Sequence, residues 1–122
     1  FVVITVPLTE STRGMFGAEV FEAMKSTAFL INVGRGGVVD EAALLDALRE
    51  GTIAGAALDV FEAEPLPEDN PLWKEPNLII TPHISGMSHN YAAKAQAVFT
   101  ENLTRYLAHK DLLNLVDMAR GY

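Results

Sequence analysis

Apolar residues along this chain fall into short runs separated by amphipathic stretches, and the alternation repeats. Residues 1–7, FVVITVP, form a β-branched run halted by proline, as expected of a strand buried on both faces of a parallel sheet. A loop at 8–14 leads into a helical stretch over 17–25, in which Val20, Phe21 and Met24 share one face. The order then recurs. Residues 28–33 read as an apolar strand and 34–37 as a glycine-rich turn; 41–50 read as a helix with Asp40 as N-cap and Gly51 as its close. A third strand is predicted over 53–60, followed by an acid- and proline-rich loop, 61–76, long enough to suggest function. A fourth strand over 77–81 ends at Pro82. The helix predicted over 88–107 sets Ala93, Ala97, Leu103 and Leu107 broadly on one side, and the apolar segment 112–116 reads as a further short strand.

Strands alternating with helices predict an α/β fold: a Rossmann-like, doubly wound parallel sheet, represented here by about four strands with flanking helices and right-handed crossovers. In such sheets ligands bind beyond the carboxyl ends of the strands, so the residues just after each strand matter most. They are Pro7, Leu8 and Thr9; Gly34, Arg35 and Gly36; Asp59; and Thr81, Pro82 and His83. If the strands are parallel, all four groups share one rim.

Composition narrows the classes of function. With 122 residues, 49% of them hydrophobic, the chain suffices for one core but not for two complete domains. A net charge of -7 without clustered Lys or Arg argues against a nucleic-acid partner. There is no cysteine for a disulfide or thiolate site, residues 1–7 lack a charged leader, and no apolar run approaches the roughly 20 residues of a membrane span. A cytoplasmic protein without membrane contact is the expectation. The three histidines are scattered without metal-ligand spacing, so no metal is expected, and Ser85 and Ser88 lack a G-x-S-x-G turn.

Three residues have chemistry suited to a rim. Arg35, flanked by glycines after a buried strand, suits bidentate capture of a carboxylate; by itself it reads equally as a surface arginine in a turn. His83 follows Thr81 and Pro82 at a strand end, and an imidazole exchanges protons near neutrality, which suits proton transfer at a carbinol. A single loop histidine is also commonly structural. Glu64, in the loop after the third strand, can hydrogen-bond that imidazole and fix its tautomer, or can be an ordinary solvated acid. His89 and His109 follow no strand and read as helix-surface residues.

The segments NVGRGGVVDE at 32–41, GAALDVFEAEP at 55–65 and NLIITPHI at 77–84 resemble, in order and spacing, the D-isomer-specific 2-hydroxyacid dehydrogenase family. The resemblance spans nearly the whole chain. It implies that Arg35 holds the substrate carboxylate and carbonyl, that His83 is the general acid or base, and that Glu64 is its partner. It implies NAD as cofactor, with NADP not excluded, bound by Val6, Pro7, Val33, Gly34, Arg35, Asp59, His83, Ser85 and Gly86, Asp59 suiting the carboxamide. The substrate would be a small anionic 2-hydroxy or 2-oxo acid, and the loop at 62–65 looks closer to phosphoglycerate dehydrogenases and glyoxylate or hydroxypyruvate reductases than to D-lactate dehydrogenases. A homodimer is implied for the full-length parent.

One family feature is missing: no G-x-G-x-x-G occurs, nor the acidic residue that reads the ribose hydroxyls. The chain is therefore expected to be a fragment, with 1–107 the C-terminal part of the NAD-binding domain and 108–122 a segment returning to the substrate domain. On its own it should bind NAD weakly and expose a sheet edge. Two further readings stay open: an NAD-sensing binding protein resembling the family's corepressor branch, and an inactive fragment without the phosphate loop.

Overall fold

The structure, a computed structural model, describes residues 1–122, which divide into two compact units, Phe1–Ser85 and Gly86–Tyr122. The first contains four strands, β1 (Val2–Ile4), β2 (Phe29–Asn32), β3 (Gly55–Leu58) and β4 (Leu78–Ile80), and two helices, α1 (Ala18–Ala23) and α2 (Glu41–Glu50). The strands pair in parallel in the order β1-β2-β3-β4. The Rossmann-like α/β expectation is met by this sheet and its flanking helices.

All four strands stop at the same level. The last paired row is Ile4, Asn32, Leu58 and Ile80. Just beyond it, the N–H groups of Val33, Asp59 and Thr81 donate to the carbonyls of Ile4, Asn32 and Leu58 at 3.2, 3.0 and 3.0 Å. This common level makes every strand shorter than its apolar run. Val6, Val33 and Val60 lie past the ladder and belong to the rim.

The core lies on one face of the sheet. Ile4, Leu30, Ala56 and Leu58 from the strands meet Phe21 of α1 and Leu44, Ala47 and Leu48 of α2. The expected helix at 41–50 is present to the residue: Asp40 Oδ1 accepts from the Ala43 N–H at 3.0 Å, and Gly51 ends the helix in the left-handed region at φ 71°. Between these caps the buried positions recur at helical spacing. The first helix is shorter than the 17–25 stretch, because Met24 turns extended and leads the chain toward β2. The loop after β3 contains a 3₁₀ turn, Pro71–Lys74, whose Leu72 is buried.

The opposite face of the sheet is open, which corrects the expectation that the first strand is buried on both sides. Val3, Ile31, Ala57 and Ile79 form one row there, and its ends, Val3 and Ile79, are 55% and 67% exposed. β1 and β4 are edge strands, and neither α1 nor α2 reaches that side.

The second unit consists of α3 (Tyr91–Leu107) and the turns after it. The helix begins three residues later than expected and carries its apolar stripe with no residue buried. His89 precedes α3 and His109 follows it, so neither lies within the helix. The segment at 112–116 is not a strand. Its backbone is held by a side chain instead: Asn102 donates from Nδ2 to the Leu113 carbonyl at 3.1 Å and accepts the Leu113 N–H at 2.7 Å. With that amide supplying both bonds, no strand partner is required.

Leu44 has no exposed surface in the structure. Its replacement by alanine is expected to cost about 2–5 kcal/mol. Urea titration followed by far-UV circular dichroism checks this, and a loss below about 1 kcal/mol would contradict the core assigned here.

Candidate active site

Parallel pairing brings the turn after β2, the loop after β3 and the residues after β4 to the same rim, and each of these segments is held by a buried or half-buried polar group. The turn at 34–36 rests on Asn32, which is 0% exposed. Its Oδ1 accepts from the Gly34 N–H and its Nδ2 donates to the Arg35 carbonyl, both at 3.0 Å. Arg35 then donates from Nη1 to the Gly34 carbonyl at 2.8 Å, which ties one end of the guanidinium to its own turn. Gly36 lets this turn close upon the next segment, since a Cβ there would collide with the backbone of Phe61 and Glu62.

The loop after β3 folds onto itself and onto α2. Glu64 Oε1 accepts from the Phe61 N–H at 3.0 Å, while the Glu62 N–H donates to Glu41 Oε1 at 2.6 Å. Farther along, Trp73 Nε1 donates to the Pro67 carbonyl at 2.9 Å, and Asn70 caps the 3₁₀ turn at the Leu72 N–H. The Glu64–Pro65 peptide is cis. Burial raises the Glu41 carboxyl above its ordinary value, aided by the nearby charge of Glu62 and opposed by the Glu62 N–H and Asn70.

His83 sits in a conformation that few non-glycine residues adopt, with φ at 53°. Asp59 maintains it from below. That carboxylate is 3% exposed; Oδ1 accepts from Thr81 Oγ1 and from the Ile84 N–H (2.9 Å), and Oδ2 from the Ser85 N–H (2.8 Å). Burial alone would raise its pKa, yet the donors from Ser85, Thr81 and Ile84 outweigh burial and hold it well below the usual aspartate value. His83 Nδ1 in turn lies 2.7 Å from Glu64 Oε2. The bond to His83 is the largest cause lowering the Glu64 pKa, followed by the Phe61 N–H; burial opposes them, and the charges of His83 and Arg35 add to the lowering.

Arg35, Glu64 and His83, from three segments, thus line one cleft of about 560 Å³, with Leu8, Gly37 and Phe61 among its other walls. The expected cofactor residues occupy the adjoining rim. Val6, Pro7 and Val33 are exposed beyond β1 and β2, and Gly34 is buried against the Val6 carbonyl. Asp59 is more fully engaged than the sequence suggests, its two oxygens already accepting from Thr81, Ile84 and Ser85. Ser85 ends the first unit with its N–H on Asp59, and Gly86 belongs to the second unit. Sequence reasoning named neither Asn32 nor Glu41 as part of the site. A polar residue ending an apolar run was the available signal for Asn32; Glu41, in the first turn of a helix, gave none.

The family model for the D-isomer specific 2-hydroxyacid dehydrogenase, NAD binding domain, matches residues 1–85. The chain belongs to this family. Glyoxylate/hydroxypyruvate reductase B of Escherichia fergusonii is 52% identical over 103 residues, covering 84% of this chain and 32% of the relative. The glyoxylate reductase of Korarchaeum cryptofilum is 47% identical over 117 residues, covering 96% of this chain and 35% of the relative. The chain therefore spans about a third of the length of these curated dehydrogenases. Among solved structures, a D-isomer specific 2-hydroxyacid dehydrogenase from Xanthobacter autotrophicus Py2, in complex with NADPH and MES, superposes with a TM-score of 0.90 at 48% identity, covering 99% of this chain and 49% of that one.

Two outcomes test the geometry of this dehydrogenase rim. Because the folded pKa of Asp59 is depressed, its contribution to stability is complete above the ordinary aspartate value of 3.8 and is lost as pH falls further. Asp59→Asn should therefore be less stable than the native protein at neutral pH, and the difference should narrow in thermal melts below pH 3.8; a gap independent of pH would count against the clamp. Gly36→Ala should separate the Arg35 turn from the Phe61 backbone at a cost of more than about 1 kcal/mol, the ordinary surface effect being within about 0.5 kcal/mol. Equal melting temperatures for this variant and the native protein would refute the close approach.

Proposed function

We propose that the full dehydrogenase containing this chain transfers a hydride between NAD(P)H and a small D-2-hydroxy or 2-oxo acid, in the manner of a glyoxylate or hydroxypyruvate reductase. The observation that carries this reading is the convergence of His83, paired to Glu64 at 2.7 Å, with Arg35 in one cleft at the carboxyl rim of a parallel sheet. The names of relatives about half identical to the chain support the substrate class.

The residues of the rim fit a nicotinamide. Val6 and Val33 offer exposed apolar surface beyond two adjacent strands, suited to a planar ring, and Asp59 is the carboxylate acceptor beside them suited to an amide donor. Val6, Pro7, Val33, Gly34, Arg35, Asp59, His83, Ser85 and Gly86 are the residues we assign to the cofactor. When bound, the nicotinamide supplies or accepts the hydride.

Chain residues handle the proton and the charge. Glu64 holds Nδ1 of His83, which orients the ring and leaves Nε2 for the substrate oxygen. In the reducing direction His83 delivers a proton to that oxygen as it becomes an alkoxide, and in the oxidising direction it removes the proton. Arg35, one Nη already turned to the Gly34 carbonyl, anchors the substrate carboxylate through its remaining donors and stabilises the developing negative oxygen.

Oxidation of NADH and NADPH by the full-length protein, with glyoxylate, hydroxypyruvate, pyruvate and phosphohydroxypyruvate as acceptors, tests this. His83→Ala is expected to lower kcat by roughly 10²- to 10⁴-fold. Arg35→Ala is expected to raise KM as well as lower kcat. Cofactor binding without turnover of any 2-oxo acid would sink the proposal.

A further inference from the structure

The cleft that contains Arg35 holds a second arginine, Arg13, for which the hydride-transfer scheme has no use. It comes from the loop between β1 and α1, and that loop is tightly built. Thr12 Oγ1 donates to the Pro7 carbonyl at 2.7 Å and accepts from the Thr9 N–H at 2.8 Å, and the Arg13 N–H donates to the Thr9 carbonyl at 3.0 Å. The loop is also laced to the segment that follows Arg35. Gly14 and Phe16 donate to the carbonyls of Gly37 and Val38 at 2.9 and 3.0 Å, and the Asp40 N–H returns to the Phe16 carbonyl at 3.1 Å. Two arginines 22 residues apart in sequence are thereby fixed to one backbone frame and line one cleft.

Arg13 has no partner of its own. None of the ion pairs includes it, and none of its guanidinium nitrogens donates to a side chain or carbonyl. The acids lining the same cleft are Asp40, Glu62 and Glu64; Asp40 caps α2, and Glu64 is bound to His83 and the Phe61 N–H. The Arg13 guanidinium lies against Gly37, where a Cβ would stand 3.5 Å from Nη1 and 3.2 Å from the Leu8 side chain. A cleft of about 560 Å³ is far larger than a two-carbon acid requires.

We propose that Arg13 is a specificity-determining residue that receives a second anionic group, carboxylate or phosphate, of a 2-oxo or 2-hydroxy acid whose first carboxylate is held by Arg35. The inference rests on the function proposed above for Arg35. It names the residue that would tell dianionic members of that class from monoanionic ones.

The test is equilibrium titration of the full-length protein in the presence of NADH, where hydroxy acids cannot react. The probes are glycolate, a monoanion, tartronate, the corresponding dicarboxylate, and 3-phosphoglycerate, which carries the second charge on phosphate. The native protein should prefer one of the dianions to glycolate, and which one it prefers identifies the anionic group. Arg13→Gln should reduce that preference roughly 10- to 100-fold, as expected for loss of a hydrogen bond between charged groups. Arg13→Lys should retain part of it, and Lys25→Gln, outside the cleft, should leave the ratio unchanged as a control for general charge. No preference in the native protein, or an unchanged ratio in Arg13→Gln, overturns the inference. Because the readout is binding, failure to turn over any 2-oxo acid would remove the proposed function while leaving this result to be judged separately.

Discussion

The buried carboxylate of Asp59 holds together the part of the structure on which the chemistry depends. It directly follows β3 and accepts from Thr81, Ile84 and Ser85, all from the segment after β4. Those bonds hold the residues on both sides of His83, whose backbone lies in a conformation that few non-glycine residues adopt. The charge is tolerated because every donor aimed at it favours the ionised form more than burial disfavours it. A residue expected from family resemblance to touch a nicotinamide is therefore first a structural clamp, and any ligand must share it.

Asn32 does for Arg35 what Asp59 does for His83. Both residues stand at the carboxyl ends of adjacent central strands, both are almost wholly buried, and each spends its polar atoms on the backbone of the segment that carries a reactive side chain. The contrast is in charge. Asn32 must both donate and accept, which an amide can do and a carboxylate cannot; Asp59 only accepts. Glu41 completes the set from the helix side, reaching the N–H of Glu62 two residues before Glu64. Reactive groups thus sit on loops, while the groups that fix them belong to strand ends and a helix start, where the backbone is already ordered by its own hydrogen bonds.

The legibility of each feature follows from how local its cause is. The helix at 41–50 was readable to the residue because its caps, Asp40 and Gly51, and its buried spacing all act within a single turn or two. Strand ends were overrun because apolar character continues past the ladder: Val6, Val33 and Val60 look like strand residues, but the pairing stops at Ile4, Asn32 and Leu58. The segment at 112–116 failed as a strand for a cause eleven residues away, the amide of Asn102. Asn32 and Glu41 were illegible as parts of the site because their roles depend on which backbone groups the fold sets beside them. Arg35 and His83 were readable on one rim because parallel pairing puts every strand's carboxyl end on one side, whereas Glu64, six residues past β3, came in through the family resemblance.

That same parallel pairing constrains which reactions the rim can host. Short, level strands leave the four segments that follow them to form the walls of one cleft, and hydrogen bonds tie these segments to one another. A shift of any one segment would alter the Nδ1 to Oε2 contact between His83 and Glu64 or the turn that carries Arg35. Gly36 is the point at which this tolerance is smallest, because backbone there meets backbone with no side chain to yield. Variation in this cleft is consequently easiest on the loop carrying Arg13, which is tied to Gly37 and Val38 through backbone bonds alone, so that a side chain there can change its charge without moving them.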